Sequence, residues 1–489
     1  MRILYLDIDS LRPDHLGCYG YRRNTSPNID LLAQEGQRFN RVYTSDAPCL
    51  PSRTALYTGR FGFHTGVVSH GGSAADPWPD GRTRGTRDRI ECDAFPRLLQ
   101  EQGFHTAQIS PFGQRHAARQ FYAGFNEIHN TGGGGNESAE TVTPVVEKWL
   151  KDHAGSDQWY LHVNYWDPHT PYRTPAEYPN HFEQDPVPDW ITPEVFERHL
   201  GKVGPHGLRE INMFDDRENP KWPKHPGSVL TYDELRRVFD GYDNGVRYVD
   251  DQVGLIVKWL KEAGVYEDTA IIISADHGEN LGELGIYGEH ATADSATCRI
   301  PLIVKWPGIT RPGTTDDGLH YHLDLPPTVA ELLGAEAKPT WDGRSYAETL
   351  RNGANTGRDA LIIGQCVHVC QRAVRFDRWQ YIRTYDDGYH LFPTEMLFDL
   401  ESDPHEQLNK AGEEPAVCDR GLRLLTEWSE EMLRSSPRNQ DPLWTVVKEH
   451  GLIYNCGQLP AYCERLQATG RGWAVAELKR RHPHEFADS

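Results

Sequence analysis

The 489-residue chain has no run of 18 or more apolar residues, so no stretch of it reads as a membrane span. It also has no basic excess. Lys and Arg number 51 against 71 Asp and Glu, a formal net charge of −20, and neutralising a phosphate backbone takes clustered cations, so a general nucleic-acid-binding role is excluded. A small anionic ligand is not excluded, but its pocket must be assembled locally from a metal ion and a few cations. Nothing resembles a leader segment: Met1-Arg2-Ile3-Leu4-Tyr5-Leu6 runs straight into a core strand, and the chain is expected to be cytoplasmic. A disulfide rhythm is missing too. The nine cysteines (18, 49, 92, 298, 366, 370, 418, 456 and 463) are odd in number and scattered. Cys366-x-x-x-Cys370 and Cys456…Cys463 have no second pair at zinc-site spacing, so reduced structural thiols are expected.

What the chain does have is aromatic residues. Its 13 Trp, 22 Tyr and 16 Phe offset a hydrophobic fraction of only 38% and a mean hydropathy of −0.66, and exclude a disordered chain. The length allows two or three structural units. Ile3 to Ile8 reads as a buried parallel strand ending in Asp9-Ser10, and Pro27 to Ala33 as an amphipathic helix. Further strands are expected over 37–43, 104–109, 159–165, 270–274 and 301–306, with helices over 94–102, 143–151 and 323–333. Apolar spacing over 232–263 predicts a helix long enough to be broken once. Loops are expected over 66–92 and over the glycine run 131–136, the latter flexible; the Pro-, Trp- and His-rich passage 172–228 should wrap a site mouth.

Strands alternating with helices predict an α/β fold, a mostly parallel central sheet flanked by helices, over residues 1–355. Beyond that the pattern changes to short antiparallel strands (360–363, 372–376, 379–384, 395–400) and a helix over 421–434. A small C-terminal α+β subdomain is therefore placed at 356–489, packed against the first.

Ligands in open α/β sheets bind at the carboxyl ends of strands. Two such ends carry chemistry here: Asp9-Ser10 and Asp276-His277. Oxygen donors with one imidazole suit Ca²⁺, with Mg²⁺ or Mn²⁺ as alternatives. Asp7 shares a strand face with Asp9 and is either a further ligand or a hydrogen-bonded buried carboxylate. The remaining motif is Cys49-Leu50-Pro51-Ser52-Arg53, followed by Thr58-Gly59-Arg60. By ordinary residue usage Cys-x-Pro-Ser-Arg alone should arise in roughly one chain of this length in several hundred.

From Ile3 to about Asn409 the order of motifs resembles that of the type I, formylglycine-dependent sulfatases of the alkaline-phosphatase-like superfamily. Asp9-Ser10-Leu11-Arg12-Pro13-Asp14 stands in the place of the family's Asp-Asp-x-Arg-x-Asp strand, and Cys49 to Arg60 is similar to its signature. Gly103-Phe104-His105-Thr106-Ala107 begins like its second signature, and Asp167-Pro168-His169-Thr170-Pro171-Tyr172 resembles its Pro-His-x-Pro element. Asp276-His277-Gly278-Glu279 and Leu397 to Glu406 complete the series.

The resemblance implies a sulfuric ester hydrolase in which a maturation enzyme oxidises Cys49 to an aldehyde. An ordinary alkoxide nucleophile would leave a stable sulfate ester; an aldehyde hydrate attacks through one hydroxyl and expels sulfate through the other. Asp9, Ser10, Cys49, Asp276 and His277 would hold the metal, which acidifies the attacking hydroxyl and neutralises the sulfuryl oxygens. Asp276 would accept a proton, Arg53 would hold the second hydroxyl and His169 would protonate the leaving oxygen.

The chain also departs from the family. Ser10 replaces an acidic ligand, and His277 stands where many members carry Asn. Two family lysines are absent. Ser110 to His116 occupies the place of one, so that Arg115 or His116 would supply its contacts, with His116 the base for hemiacetal collapse. Counting back nine residues from Arg299-Ile300-Pro301 puts His290 in the place of the other, to contact sulfate or protonate the leaving group. His64 and His70 either line the pocket or are solvated loop residues, and Asn136 and Glu137 are candidates for sugar recognition.

The expected substrate is a carbohydrate or other small organic sulfate, and the oligomeric state, a homo-oligomer included, is open. The alternative within the superfamily is a phosphonate monoester or phosphodiester hydrolase. Outside enzymology it is a binding protein whose Cys49 stays a thiol.

Overall fold

A computed structural model describes residues 1–80, 88–204, 206–208, 210, 217–290, 292–436, 438–449, 452 and 454–486. The predicted loop over 66–92 and the passage over 172–228 both run through residues outside this set (81–87; 205, 209 and 211–216). Nine strands form the main sheet, ordered Thr314–Asp316, Gln37–Tyr43, Arg299–Lys305, Thr269–Ser274, Arg2–Ile8, Trp159–Tyr165, His105–Ile109 and Glu127–His129, with His320–Tyr321 also on Gln37–Tyr43. Pairing is parallel except on both sides of Arg299–Lys305. The central strands are buried end to end, as their unbroken apolar runs require of strands covered on both faces. The fold is therefore the expected α/β architecture.

A second, five-stranded sheet runs Glu395–Asp399, Trp379–Asp386, Cys370–Phe376, Ala360–Gln365 and Asp46–Ala47. The first four pair antiparallel, as the sequence predicts. The fifth comes from far upstream: Asp46–Ala47 runs parallel to Gly364 and Gln365 and leads directly to Cys49. The C-terminal sheet thus holds the chain that feeds the signature helix.

Three elements differ from expectation. The helix over Tyr232–Glu262 is unbroken. A complete capping box, Thr231 with Glu234, starts it, and an apolar stripe from Leu235 to Leu260 keeps it continuous. The 172–228 passage contains a helix, Pro193–Leu200, capped by the Thr192 hydroxyl. The helix predicted over 143–151 spans Ala139–His153 and carries Pro144 near its start. No helix among the described residues is long and apolar enough to cross a membrane.

Glycines 241 and 245 of the long helix serve the site rather than the helix. A Cβ on Gly241 would lie 2.4 Å from the Lys224 carbonyl oxygen and 2.6 Å from the Tyr172 ring; on Gly245 it would lie 2.9 Å from Pro168 Cβ. Both contacts press the Pro168–Tyr172 loop, and with it His169, against the helix. Gly245→Val should cost about 1–3 kcal/mol through overpacking and lower turnover by displacing that loop. Urea melts with parallel kinetics test this; unchanged stability would show that the loop is not packed as described.

Candidate active site

Strand Arg2–Ile8 pairs with Trp159–Tyr165 on one side and Thr269–Ser274 on the other, so Asp9 and Asp276 leave adjacent carboxyl ends together. Ser10 takes a left-handed conformation (φ 59°). That turn aims its N–H at Asp276 Oδ1 (3.3 Å), while its hydroxyl donates to Asp9 Oδ1 (3.1 Å) and its carbonyl accepts from the Tyr242 hydroxyl (2.7 Å). Ser10 thereby ties the two carboxylates together. His277 Nδ1 donates to the Gly278 carbonyl (2.7 Å), which leaves the Nε2 lone pair facing Cys49 Sγ at 3.0 Å. Gly278 is required because a Cβ there would sit 2.0 Å from the Ala296 carbonyl oxygen. One ligand atom each from Asp9, Cys49, Asp276 and His277 falls within 4.8 Å of the others.

The signature motif has a physical reading residue by residue. Cys49 opens the helix Cys49–Thr58, every residue of which is buried. Ser52 Oγ donates to the Asp276 carbonyl (2.7 Å) and His322 Nε2 donates to the Ser52 carbonyl (2.7 Å), fastening the helix to the strand end. Gly59 closes the helix at φ 62°, where a Cβ would strike the Trp341 ring at 2.6 Å.

Arg53 sits among three buried carboxylates. Its Nε donates to Asp7 Oδ2 (2.9 Å), Nη2 to Asp7 Oδ1 (3.2 Å) and Nη1 to Asp9 Oδ2 (3.0 Å), and Nη1 lies 2.5 Å from Asp276 Oδ2. Its guanidinium carbon is 4.4 Å from the Phe112 ring centre. Asp7 is thus the hydrogen-bonded carboxylate of the two sequence alternatives. Against the cost of burial, Arg53 and His162 hold it well below the usual carboxylate range.

Burial, with Asp9 adding to it against the pull of Arg53, pushes Asp276 up to about 7. Three carboxylates against one guanidinium leave an excess of negative charge in a dry site. A divalent cation among Asp9, Asp276 and His277 would remove it, so the donor set fits a metal. Burial, Asp9 and Asp276 also push the Cys49 thiol well above its ordinary value.

Imidazoles line the rest. His169 Nδ1 is bonded to the Thr170 carbonyl and its Nε2 lies 3.9 Å from Asp9 Oδ1. The His290 ring centre lies 4.6 Å from that of His277 and 4.8 Å from that of His169. His70 Nε2 accepts from the Leu50 N–H (3.2 Å) beside Cys49, so its Nδ1 donates to the Tyr454 hydroxyl (3.1 Å). His116 packs on His70 (ring centres 5.1 Å apart), and its Nε2 is buried without a hydrogen bond among the described residues. Burial, then Arg115 and Arg53, lower His116 to about 3. Arg115 is exposed, held over the Trp166 ring (5.0 Å) and by the Gly134 carbonyl (3.1 Å).

Other candidates lie elsewhere. His64 is spent between Asp342 (2.8 Å) and the Ser435 hydroxyl (2.9 Å). Glu137 is buried within its own loop, its carboxylate accepting from the Gly133 N–H (2.6 Å), the Gly135 N–H (2.8 Å) and the Thr131 hydroxyl (2.8 Å). It staples the glycine run, its carboxylate committed within that loop. Sequence reasoning missed Glu279, which accepts from the Thr170 N–H (3.2 Å) and the Tyr172 hydroxyl (2.9 Å) and so fixes the His169 loop. It also missed His368, 5.8 Å from His290 by ring centres, and Tyr454. Both come from the C-terminal part, where no local pattern marks them.

Acidic residues and an imidazole at adjacent strand ends of this sheet, with a cysteine opening a helix against them, fit a hydrolase of the alkaline-phosphatase-like fold. The chain belongs to the sulfatase family: the family model Sulfatase matches residues 2–335, and the model N-sulphoglucosamine sulphohydrolase, C-terminal, matches residues 282–419. It is 26% identical to a choline-sulfatase of Rhizobium meliloti over 94% of each chain, and 26% identical to human iduronate 2-sulfatase over 73% of each. A structure solved with its substrate D-glucosamine-2-N,6-O-disulfate superposes with a TM-score of 0.70 at 18% identity, covering 89% of this chain and 99% of that one. The phosphonate monoester hydrolase of Agrobacterium radiobacter superposes with a TM-score of 0.69 at 20% identity, covering 88% and 96%.

Two outcomes follow from these electrostatics. Arg53→Met should cost about 3–5 kcal/mol in urea melts, because it strands three buried carboxylates. A loss below about 1 kcal/mol, the range of exposed pairs, would show that Arg53 is not their counter-charge. His116 stays neutral in the folded chain down to about pH 3 but protonates near 6.5 when unfolded. The unfolded state then binds more protons across that window, and stability falls as pH drops through it. His116→Gln should flatten that acid loss, and an unchanged slope in pH-dependent melts would refute the assignment.

Proposed function

We propose that the chain hydrolyses the sulfate ester of a saccharide or other small organic sulfate, using a formylglycine made from Cys49 by a maturation enzyme and a divalent cation. The observation that carries this reading is the state of Cys49. Its thiol is buried against two carboxylates and pushed up in pKa, so it is unsuited to act as a thiolate nucleophile. Asp9, Asp276, His277 and residue 49, with Ser10 beside them, would hold the cation, Ca²⁺ before Mg²⁺ or Mn²⁺. When bound, the cation acidifies an attacking hydroxyl and neutralises sulfuryl oxygens, and the hydrated aldehyde brings a second hydroxyl through which sulfate is expelled.

The chain's own residues do the rest. Arg53 orients the group at residue 49, holds Asp7 low and pairs with Asp9 and Asp276. His169, its Nδ1 committed to the Thr170 carbonyl, enters the step as the imidazolium and gives its Nε2 proton to the departing alcohol oxygen, returning to the neutral ring. His290, packed between His277 and His169, contacts the sulfate group or shares that proton transfer. His116, neutral and with a buried open Nε2, takes the proton that lets sulfate leave. His70 and Arg115 bind the substrate at the outer wall. Sulfatases acting on choline sulfate and on N-acetylglucosamine-6-O-sulfate are both among the relatives, which supports a small or saccharide sulfate.

A phosphonate monoester or phosphodiester is the second reading. It is favoured by the imidazole of His277 among the metal ligands and by the fold shared with phosphonate monoester hydrolases. Matched assays on an aryl sulfate and an aryl phosphonate ester decide between the two. kcat/KM should be higher on the sulfate, and the reverse order would overturn the first reading. Intact mass should show a loss of about 18 Da at residue 49, and Cys49→Ala should remain folded but inactive. An active Cys49→Ala variant would end the formylglycine assignment.

A further inference from the structure

Away from the site, at the outer edge of the main sheet, three histidines converge on one carboxylate. Glu127 lies on the edge strand Glu127–His129, His105 opens the neighbouring strand and His153 ends the helix Ala139–His153. His105 Nε2 is 2.7 Å and His153 Nε2 3.4 Å from the same oxygen, Glu127 Oε1; His129 Nε2 is 2.9 Å from Oε2. The Trp149 indole N–H donates to Oε2 as well (3.0 Å). One ligand atom each of His105, Glu127 and His153 lies within 4.8 Å of the others.

Proton bookkeeping leaves one nitrogen of this cluster facing an acceptor unless His153 is protonated or a cation lies between them. His153 Nδ1 donates to the Trp149 carbonyl (3.1 Å), so in the neutral ring Nε2 carries a lone pair. That lone pair faces the lone pairs of Glu127 Oε1. The His105 and His153 rings lie parallel within 6° at 5.5 Å, so protonating both would set two positive rings face to face. A single divalent ion at Oε1 satisfies both nitrogens and the oxygen at once. Trp149, stacked on His153 at 4.7 Å, fixes that ring in place.

We propose that His105, Glu127 and His153, with His129 alongside, form a second metal site for a borderline divalent ion such as Zn²⁺, clamping the edge strand to the helix end. Imidazole and carboxylate donors suit Zn²⁺ and disfavour Ca²⁺, so this site and the oxygen-rich one at Asp9 select different ions. The ligands are 28–39% exposed, open to solvent for loading. The site lies at the amino end of strand His105–Ile109, whereas the catalytic groups gather at carboxyl ends.

The test is calorimetric titration of native holoenzyme, freed of excess metal, with ZnCl₂. Wild type should take up one equivalent beyond its resident metal. His105→Gln and His153→Gln should each bind that equivalent at least about tenfold more weakly, with turnover unchanged, and added Zn²⁺ should raise Tm only in wild type. No added equivalent in wild type, or equal affinity in both variants, overturns the proposal. The wild-type stoichiometry decides it even if a variant fails to fold.

Discussion

The contact on which the site depends is that of the Arg53 guanidinium with Asp7, Asp9 and Asp276. Buried charges persist only when paired, and a guanidinium has the fork of donors to bond two carboxylates while facing a third. This arrangement joins three segments far apart in sequence: strand Arg2–Ile8, helix Cys49–Thr58 and the end of strand Thr269–Ser274. It also fixes where Cys49 must lie, one helical turn from Arg53. The pairing is unbalanced by design, since one cation cannot neutralise three acids. That imbalance suits the site to a divalent ion, and burial raises Asp276 while Asp7, bonded twice to Arg53, is held low.

Around this charged centre the wall is built of imidazoles rather than lysines. Burial keeps His70 and His116 neutral, so the fixed positive charge comes from Arg53 and from Arg115 at the rim. The wall's position is set from outside the main sheet. Glycines 241 and 245 let the His169 loop settle onto the long helix, and Glu279 holds that loop from the metal strand. The C-terminal sheet pairs with Asp46–Ala47, which leads to Cys49, and the connection between two of its strands carries His368, packed against His290 and Tyr454. The smaller sheet therefore holds the segment that leads into Cys49.

Much of this was legible in the sequence because it rests on local rules. Continuous apolar runs become buried strands, and acidic residues after them fall at strand ends; Asp9 and Asp276 were readable for that reason. Cys49 to Gly59 was readable because its turn, anchor and cap each demand a particular residue type. The long helix was expected, from its length, to be broken once; its apolar stripe keeps it continuous, and the space left by Gly241 and Gly245 is filled by Tyr172 and Pro168. Glu137 looked like a ligand until its loop closed on it, and His64 until Asp342 reached it.

Sequence alone thus determined the fold class, the acidic strand ends and the signature cysteine, each of which is written in contiguous residues. Tertiary structure decided the rest: which of Asp7 and Asp9 falls in the cluster with Cys49, Asp276 and His277, which histidines stand together, and that Glu279, His368 and Tyr454 pack beside them. Those choices depend on which side chains meet across hundreds of residues. Proximity of that kind leaves no period, spacing or composition for the sequence to display.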